Sequence, residues 1–274
     1  MDLNRALTEQ PNPESSDLDR MSALEIVQLM NRQDLLVVSA VERCLPALAA
    51  LVEASAIRLG QGGRLFYVGA GTSGRLGMLD AAECPPTFGT PPELVQAVLA
   101  GGSGAFLKAV EHAEDRHDVG AEEMVNRQVG AQDVVVGISA SGRTPFVLGA
   151  LEQATRMGAL TGSMFCNPGC PLESAAQHPL LLQVGPEVLA GSTRLKAGTA
   201  TKMALNMLST GVMVRLGKTL GNLMADLTPT CEKLRIRSVR ILVQSAGLEW
   251  AEAEKRLEEA GGDLRKALMV GQTL

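Results

Sequence analysis

The sequence predicts an α/β fold: a parallel sheet with helices on both faces and a small helical C-terminal segment. Three observations lead there. From Gly60 onward, short apolar runs beside Gly, Ser or Pro alternate with helical stretches, the pattern of a parallel sheet covered on both sides. Arg64-Leu-Phe-Tyr-Val68 reads as a buried strand and is followed by a small-residue turn, Gly69 to Gly74, that opens a helix. The 274 residues are 46% hydrophobic and 20% charged, enough for one large α/β domain and a small appendage.

The elements follow in chain order. Residues 1–21 are polar, are broken by Pro11 and Pro13, and read as an extended N-terminal arm without an apolar signal stretch. Ser22-Ala-Leu-Glu25 fits a capping box, and Ile26, Leu29 and Met30 continue it at helical spacing. A second amphipathic stretch covers about Leu35 to Leu59, with a kink expected at Pro46. Strands are expected at Leu65–Val68, Leu94–Leu99, Val134–Ile138, Leu160–Phe165 and Leu180–Val184. Helices are expected between them at about 74–83, 104–118, 145–157 and 194–217. The first of these should stop before Pro85-Pro86. The chain is divided near Arg237, so that 22–236 forms the main domain and 237–274 three short helices, the last capped by Asp263.

Composition excludes several classes. A net charge of −5 does not favour nucleic acid or an anionic membrane, and no uncharged apolar run approaches the length of a membrane helix. Cysteines at 44, 84, 166, 170 and 231 lack CxxC spacing, and there are only three histidines. The expectation is therefore reduced thiols, no metal site and a cytoplasmic location.

Gly69-x-Gly71-x-x-Gly74 matches a dinucleotide fingerprint, which alone is a weak signal. The acid that would bind ribose, Glu93, precedes its strand instead of ending it. The segment Ser139-Ala-Ser141-Gly-Arg-Thr144-Pro145 is more telling, because three hydroxyls converge just before a helix start. Backbone amides and the positive helix end attract a phosphate there, whereas capping alone needs a single hydroxyl. Val68 to Arg75 and Val136 to Arg143 share Val, Gly, Ser, Gly and Arg at matching positions, which suggests two equivalent loops on one rim, with Thr72 and Ser73 adding donors. No GxxxxGK[ST] motif is present. Glu83, expected at a helix end, would have its pKa raised by the negative dipole end and so suit a proton donor. Glu114 lies in Val110-Glu-His-Ala-Glu-Asp-Arg116, where a solvated charged face is the plainer reading. Ser192 or Thr193 can cap the helix that follows, and Arg194 can hold a carboxylate.

With these residues in hand, the chain resembles the N-acetylmuramic acid 6-phosphate etherases. The resemblance rests on Gly69 to Gly77, Asp80 to Phe88 with its Glu-Cys-Pro-Pro, Gly137 to Pro145, Gly191 to Thr199 and Gly221 to Leu227. It implies a sugar isomerase (SIS) domain, a homodimer, and a C-terminal segment like ubiquitin-associated domains. It also implies a sugar-phosphate substrate, cleaved by water to N-acetylglucosamine 6-phosphate and D-lactate without a cofactor or metal. By the family's motifs the catalytic pair falls on Glu83 and Glu114. Substrate and phosphate contacts fall on Thr72, Ser73, Ser139, Ser141, Thr144, Ser192 and Arg194. Related sugar-kinase regulators share part of this pattern and make a non-catalytic sugar-phosphate sensor the alternative. Three positions depart from the family: His112 for Gly, Ala190 for Thr and Cys231 for Asn. The tail also reads as somewhat shorter.

Overall fold

The structure, a computed structural model, describes residues 6–108, 110–226 and 232–270. Its centre is a five-stranded sheet of order β2-β1-β3-β4-β5, parallel throughout. The strands are β1 (Leu65–Gly69), β2 (Val95–Leu99), β3 (Val134–Ile138), β4 (Leu160–Phe165) and β5 (His178–Leu181). The first four agree with the sequence expectation to within one residue. β5 starts earlier than expected and includes Pro179, which an edge strand tolerates because one side of its backbone has no partner strand.

Alternate strand residues feed two cores, as the period of a strand requires. Leu65, Tyr67, Val134, Val136 and Ile138 face α1 (Ala23–Gly60), α2 (Gly71–Phe88) and α6 (Lys196–Arg215). Phe66, Val68 and Val135 face the layer of α3 (His117–Asn126), α4 (Pro145–Arg156) and α5 (Pro171–Ser174). A third cluster joins Ala225 to α7 (Glu232–Ala246), α8 (Trp250–Glu259) and α9 (Leu264–Met269). Arg237, the expected division of the chain, lies inside α7. Asp263 caps α9 through the Lys266 amide at 3.0 Å, as expected.

Several elements differ from the sequence reading. The two expected N-terminal helices are one, α1, opened by the Ser22–Glu25 capping box and containing Pro46. Leu29, Gln33, Val37, Val41, Cys44, Leu48, Leu51, Ser55 and Leu59 form an unbroken buried stripe along it, so packing keeps the helix continuous. One 18-residue window of α1 has a mean hydropathy of 2.0, sufficient in length and composition to cross a membrane, but a third of it is buried in the protein. The arm is not extended. It forms 3-10 turns at Leu7–Glu9, Pro13–Ser15 and Leu18–Arg20, with Thr8 and Asn12 buried.

The prolines do not stop α2, which runs through Pro85 and Pro86 to Phe88. They fall in its last turn, and the chain leaves at left-handed Gly89, whose amide donates to the Pro85 carbonyl at 2.9 Å. Continuing the helix buries both Cys84 and Phe88, and that packing outweighs the pre-proline bias. Conversely, the helix expected over 104–118 does not form among the described residues before α3. Gly101, Gly102 and His112 take positive φ, and these residues form 3-10 turns at Ser103–Phe106 and Ala113–Asp115.

Candidate active site at the strand switch point

β1 and β3 are neighbours, paired from Leu65↔Val134 to Gly69↔Ile138. The chain leaving β1 enters α2 on one face, and the chain leaving β3 enters α4 on the other. In open α/β sheets the crevice between two such exits is where ligands bind. Glu93 instead precedes β2, at the opposite end of the strands, so the dinucleotide reading has no ribose acid.

The first exit is tight. A side chain at Gly69 would meet the Gly74 amide at 2.7 Å, and one at Gly74 would meet the Gly69 carbonyl at 2.6 Å. The two glycines therefore let the helix start lie directly on the strand end. Thr72 and Ser73 occupy the first turn of α2, which begins at Gly71, earlier than the expected start near residue 74. The second exit is a turn. The Ser139 hydroxyl lies 3.1 Å from that of Ser141 and 2.7 Å from that of Thr144. The Gly142 amide donates to the Ser139 hydroxyl at 3.2 Å, and the Arg143 amide to the Ser141 hydroxyl at 3.3 Å. Thr144 is the N-cap residue of α4, yet its side chain makes no capping bond. The three hydroxyls thus converge on one another, beside a helix start that attracts anions. The sequence echo does not persist as one shape. Ser73, Gly74 and Arg75 are helical, whereas Ser141, Gly142 and Arg143 form a turn in which Gly142 has φ +71°.

A cavity of about 260 Å³ opens beside the first exit, lined by Ala70, Gly71, Arg75, Glu111, His112 and Glu114 among others. Arg75 shapes it, donating to the carbonyls of Ala105 and Phe106, both at 2.9 Å. Glu114 is exposed in its 3-10 turn. Glu83 is not in this cavity. It lies exposed on α2, five residues before the helix ends at Phe88, so the helix-end argument for it loses its premise. It lies twelve positions beyond Gly71, about 18 Å at helical rise. Behind it, Asp80 is buried and accepts from Tyr67 Oη at 2.9 Å, Asn206 Nδ2 at 2.7 Å and Ser209 Oγ at 3.1 Å.

Ser192 and Arg194 lie on the loop between β5 and α6, and Arg194 is exposed. Neither Ser192 nor Thr193 caps α6. The Glu187 carboxylate does, accepting from the amides of Lys196 at 3.0 Å and Ala197 at 2.9 Å. Burial raises the Glu187 pKa despite those amides, and burial lowers that of Lys196. Thr72 reaches the same junction, its methyl 3.7 Å from where a Gly198 side chain would begin. Ala190 is exposed on this loop. His112 adopts φ +59° where the family pattern has Gly, and Cys231 lies outside the described residues. Among the described residues, no group of three or more His, Cys, Asp or Glu could hold a metal ion.

A parallel sheet in this order, with a hydroxyl turn at its switch point, defines a SIS-domain protein. The SIS domain family matches residues 110–211, and the glucokinase regulatory protein N-terminal SIS domain family matches 47–155. Phosphoheptose isomerases share the fold. That of Neisseria gonorrhoeae gives a TM-score of 0.54 at 20% identity, covering 70% of this chain and 98% of its own. That of Francisella tularensis gives 0.53 at 17% identity, covering 71% and 100%. The chain belongs to the N-acetylmuramic acid 6-phosphate etherase family. It is 54% identical to the etherase of Thermosynechococcus vestitus over 96% of this chain and 86% of that one. It is 50% identical to the etherase of Vibrio vulnificus over 98% and 90%.

Proposed function

We propose that this protein cleaves the lactyl ether of N-acetylmuramic acid 6-phosphate with water, giving N-acetylglucosamine 6-phosphate and D-lactate, in cell-wall sugar recycling in the cytoplasm. The observation that carries the reading is the converged Ser139–Ser141–Thr144 cluster at the switch point of a chain half-identical to etherases. That cluster, with Thr72 and Ser73, suits the phosphate. Ser192 and Arg194 suit the lactyl carboxylate.

An ether resists water because alkoxide is a poor leaving group. Opening the sugar ring creates an aldehyde at C1, which acidifies the C2 proton. A carboxylate removes that proton and a carboxylic acid protonates the departing lactyl oxygen at C3, leaving an α,β-unsaturated aldehyde and lactate. Water then adds at C3 and a proton returns to C2. We assign Glu114 as the C2 base and Glu83 as the acid, one ionised and one protonated. The aldehyde is itself the electron sink.

The position of Glu83 bears on assembly. C2 and C3 are bonded neighbours, whereas Glu83 is about three turns along α2 from the cavity holding Glu114. We infer a homodimer in which Glu83 reaches the partner's cavity. Leu24, Val27, Leu35, Val38 and Leu45 of α1, and Leu79 on α2, are exposed, an apolar face suited to a second copy.

The test is incubation with the phosphorylated muramyl sugar in heavy water. Lactate release and deuterium at C2 are expected, and absence of lactate refutes the activity. Glu83→Ala should keep C2 exchange and lose lactate; equal loss of both refutes its role. Mixed dimers of Glu83→Ala and Glu114→Ala should recover about a quarter of wild-type activity, from one intact site in half the dimers. No recovery refutes the shared site.

A further inference from the structure

The N-terminal turn at Thr8 meets the hydroxyl loop from behind, through a single side chain. Thr8 and Asn167 are both fully buried, although 159 residues apart in sequence. The Thr8 amide donates to Asn167 Oδ1 at 3.2 Å, and Asn167 Nδ2 donates to Thr8 Oγ1 at 3.1 Å. The same Nδ2 donates to the carbonyl of Ala140, the residue between Ser139 and Ser141, at 2.9 Å. Because the Thr8 amide claims Oδ1, the amino end of Asn167 is directed at Ala140. Thr8 is itself tied to the next loop, its carbonyl accepting from the Gly191 amide at 2.9 Å.

We propose that Asn167, set by Thr8, is a positioning residue that fixes the Ala140–Ser141 peptide for phosphate binding. The proposal rests on the phosphate reading above and deepens it. The Ala140 carbonyl also accepts from the Cys166 amide at 3.0 Å, so two donors hold it toward the core. In a trans peptide the amide points opposite to its carbonyl. Pinning the Ala140 oxygen inward therefore turns the Ser141 N–H outward, toward the anion. A flipped peptide would present an oxygen to the phosphate instead. Through Thr8, the same device joins this loop to the one carrying Ser192 and Arg194.

The experiment compares Asn167→Ala, Thr8→Val and Ser141→Ala in the full-length protein. It reads kcat and KM for lactate release, and inhibition by inorganic phosphate. Asn167→Ala should raise both KM and the phosphate inhibition constant about tenfold with kcat within about twofold, the loss of roughly one hydrogen bond. Thr8→Val, which keeps the volume and the backbone amide, should shift both in the same direction by less, and it serves alone if Asn167→Ala fails to fold. A lower kcat with unchanged KM in these two variants marks a merely structural role and overturns the proposal. If Ser141→Ala raises KM and neither of the others does, this inference fails while the phosphate reading stands. If Ser141→Ala also leaves KM and phosphate inhibition unchanged, both fail.

Discussion

Replacing Gly142 with Ala tests the hydroxyl turn where its geometry is least forgiving. Gly142 sits at φ +71°, a region that costs a residue with a side chain about 1–2 kcal/mol. Its new methyl would also collide with the Cys170 sulfur and lie 2.7 Å from Cys170 Cβ. Overpacking of that kind costs about 1–3 kcal/mol. The two together amount to about 2–5 kcal/mol, or a fall in Tm of about 5–20 °C for a domain of this size. The contributions separate in a double-mutant cycle with Cys170→Gly, which removes both colliding atoms. In that background Gly142→Ala should cost only the backbone part, leaving a coupling of about 1–3 kcal/mol. Urea unfolding measures all four proteins. A Gly142→Ala loss that is the same in both backgrounds would refute the packing argument, and a loss under about half a kcal/mol would refute both parts.

Other expectations follow from the same geometry. His112→Gly should stabilise the protein by about 0.5–1 kcal/mol, since His112 holds a left-handed conformation that Gly adopts without strain; a destabilised variant in urea unfolding would count against it. Asp80→Ala should cost about 3–5 kcal/mol by leaving the buried Tyr67 and Ser209 donors and the half-buried Asn206 donor without their acceptor, with Asp80→Asn milder; equal unfolding midpoints would contradict this. Burial pushes the Asp133 carboxyl up, but hydrogen bonds from the Arg64 side chain and the Gly130 and Arg64 amides outweigh it and hold the pKa below its ordinary value. The stability this group contributes is therefore complete above the unfolded value of about 3.9 and is lost as pH falls through the lower folded value. Asp133→Asn should flatten the acid limb of stability against pH, and an unchanged limb would be the contrary result. Burial raises the thiols of Cys84 and Cys166, each to about 12, so site-resolved alkylation at neutral pH should leave both unmodified in the native protein; labelling at the rate of a free thiol would argue against burial.

Much of the fold was legible because it follows local rules. Strands β1 and β3 are short apolar runs that end on or contain a single glycine, β2 and β4 keep apolar ends around Gln96 and around Thr161, Gly162 and Ser163, and the start of α1 has a capping box. The hydroxyl cluster was legible because Ser139, Ser141 and Thr144 lie within six residues of one another. What misled was local propensity where packing decides. Pro85 and Pro86 argue for a helix end, yet burial of Cys84 and Phe88 carries α2 beyond them. The same continuation removes the helix end expected at Glu83, which lies five residues before α2 ends at Phe88. The residues of 104–118 suggest a helix, but His112 at φ +59° lies within the stretch and Gly101 and Gly102, also at positive φ, just before it, and the described residues ahead of α3 form 3-10 turns.

The residues that sequence reasoning missed take partners nine or more residues away in the chain. Glu187 caps α6 in place of Ser192 or Thr193, and Asp80 gathers donors from β1 and α6. Neither lies in a local motif that assigns it those partners.

Periodicity, glycine placement and clustered hydroxyls are written within short windows of chain, so the linear order of residues determined the parallel sheet, the hydroxyl-bearing turn and the candidate chemistry. Which of those groups face one crevice depends on contacts between segments up to 159 residues apart, such as Thr8 with Asn167. The tertiary structure alone decided that Glu114 lines the cavity beside the exit of β1 while Glu83 lies exposed on α2, outside that cavity. The reason is that helix length and burial are settled by packing against the sheet, which no local window of sequence contains.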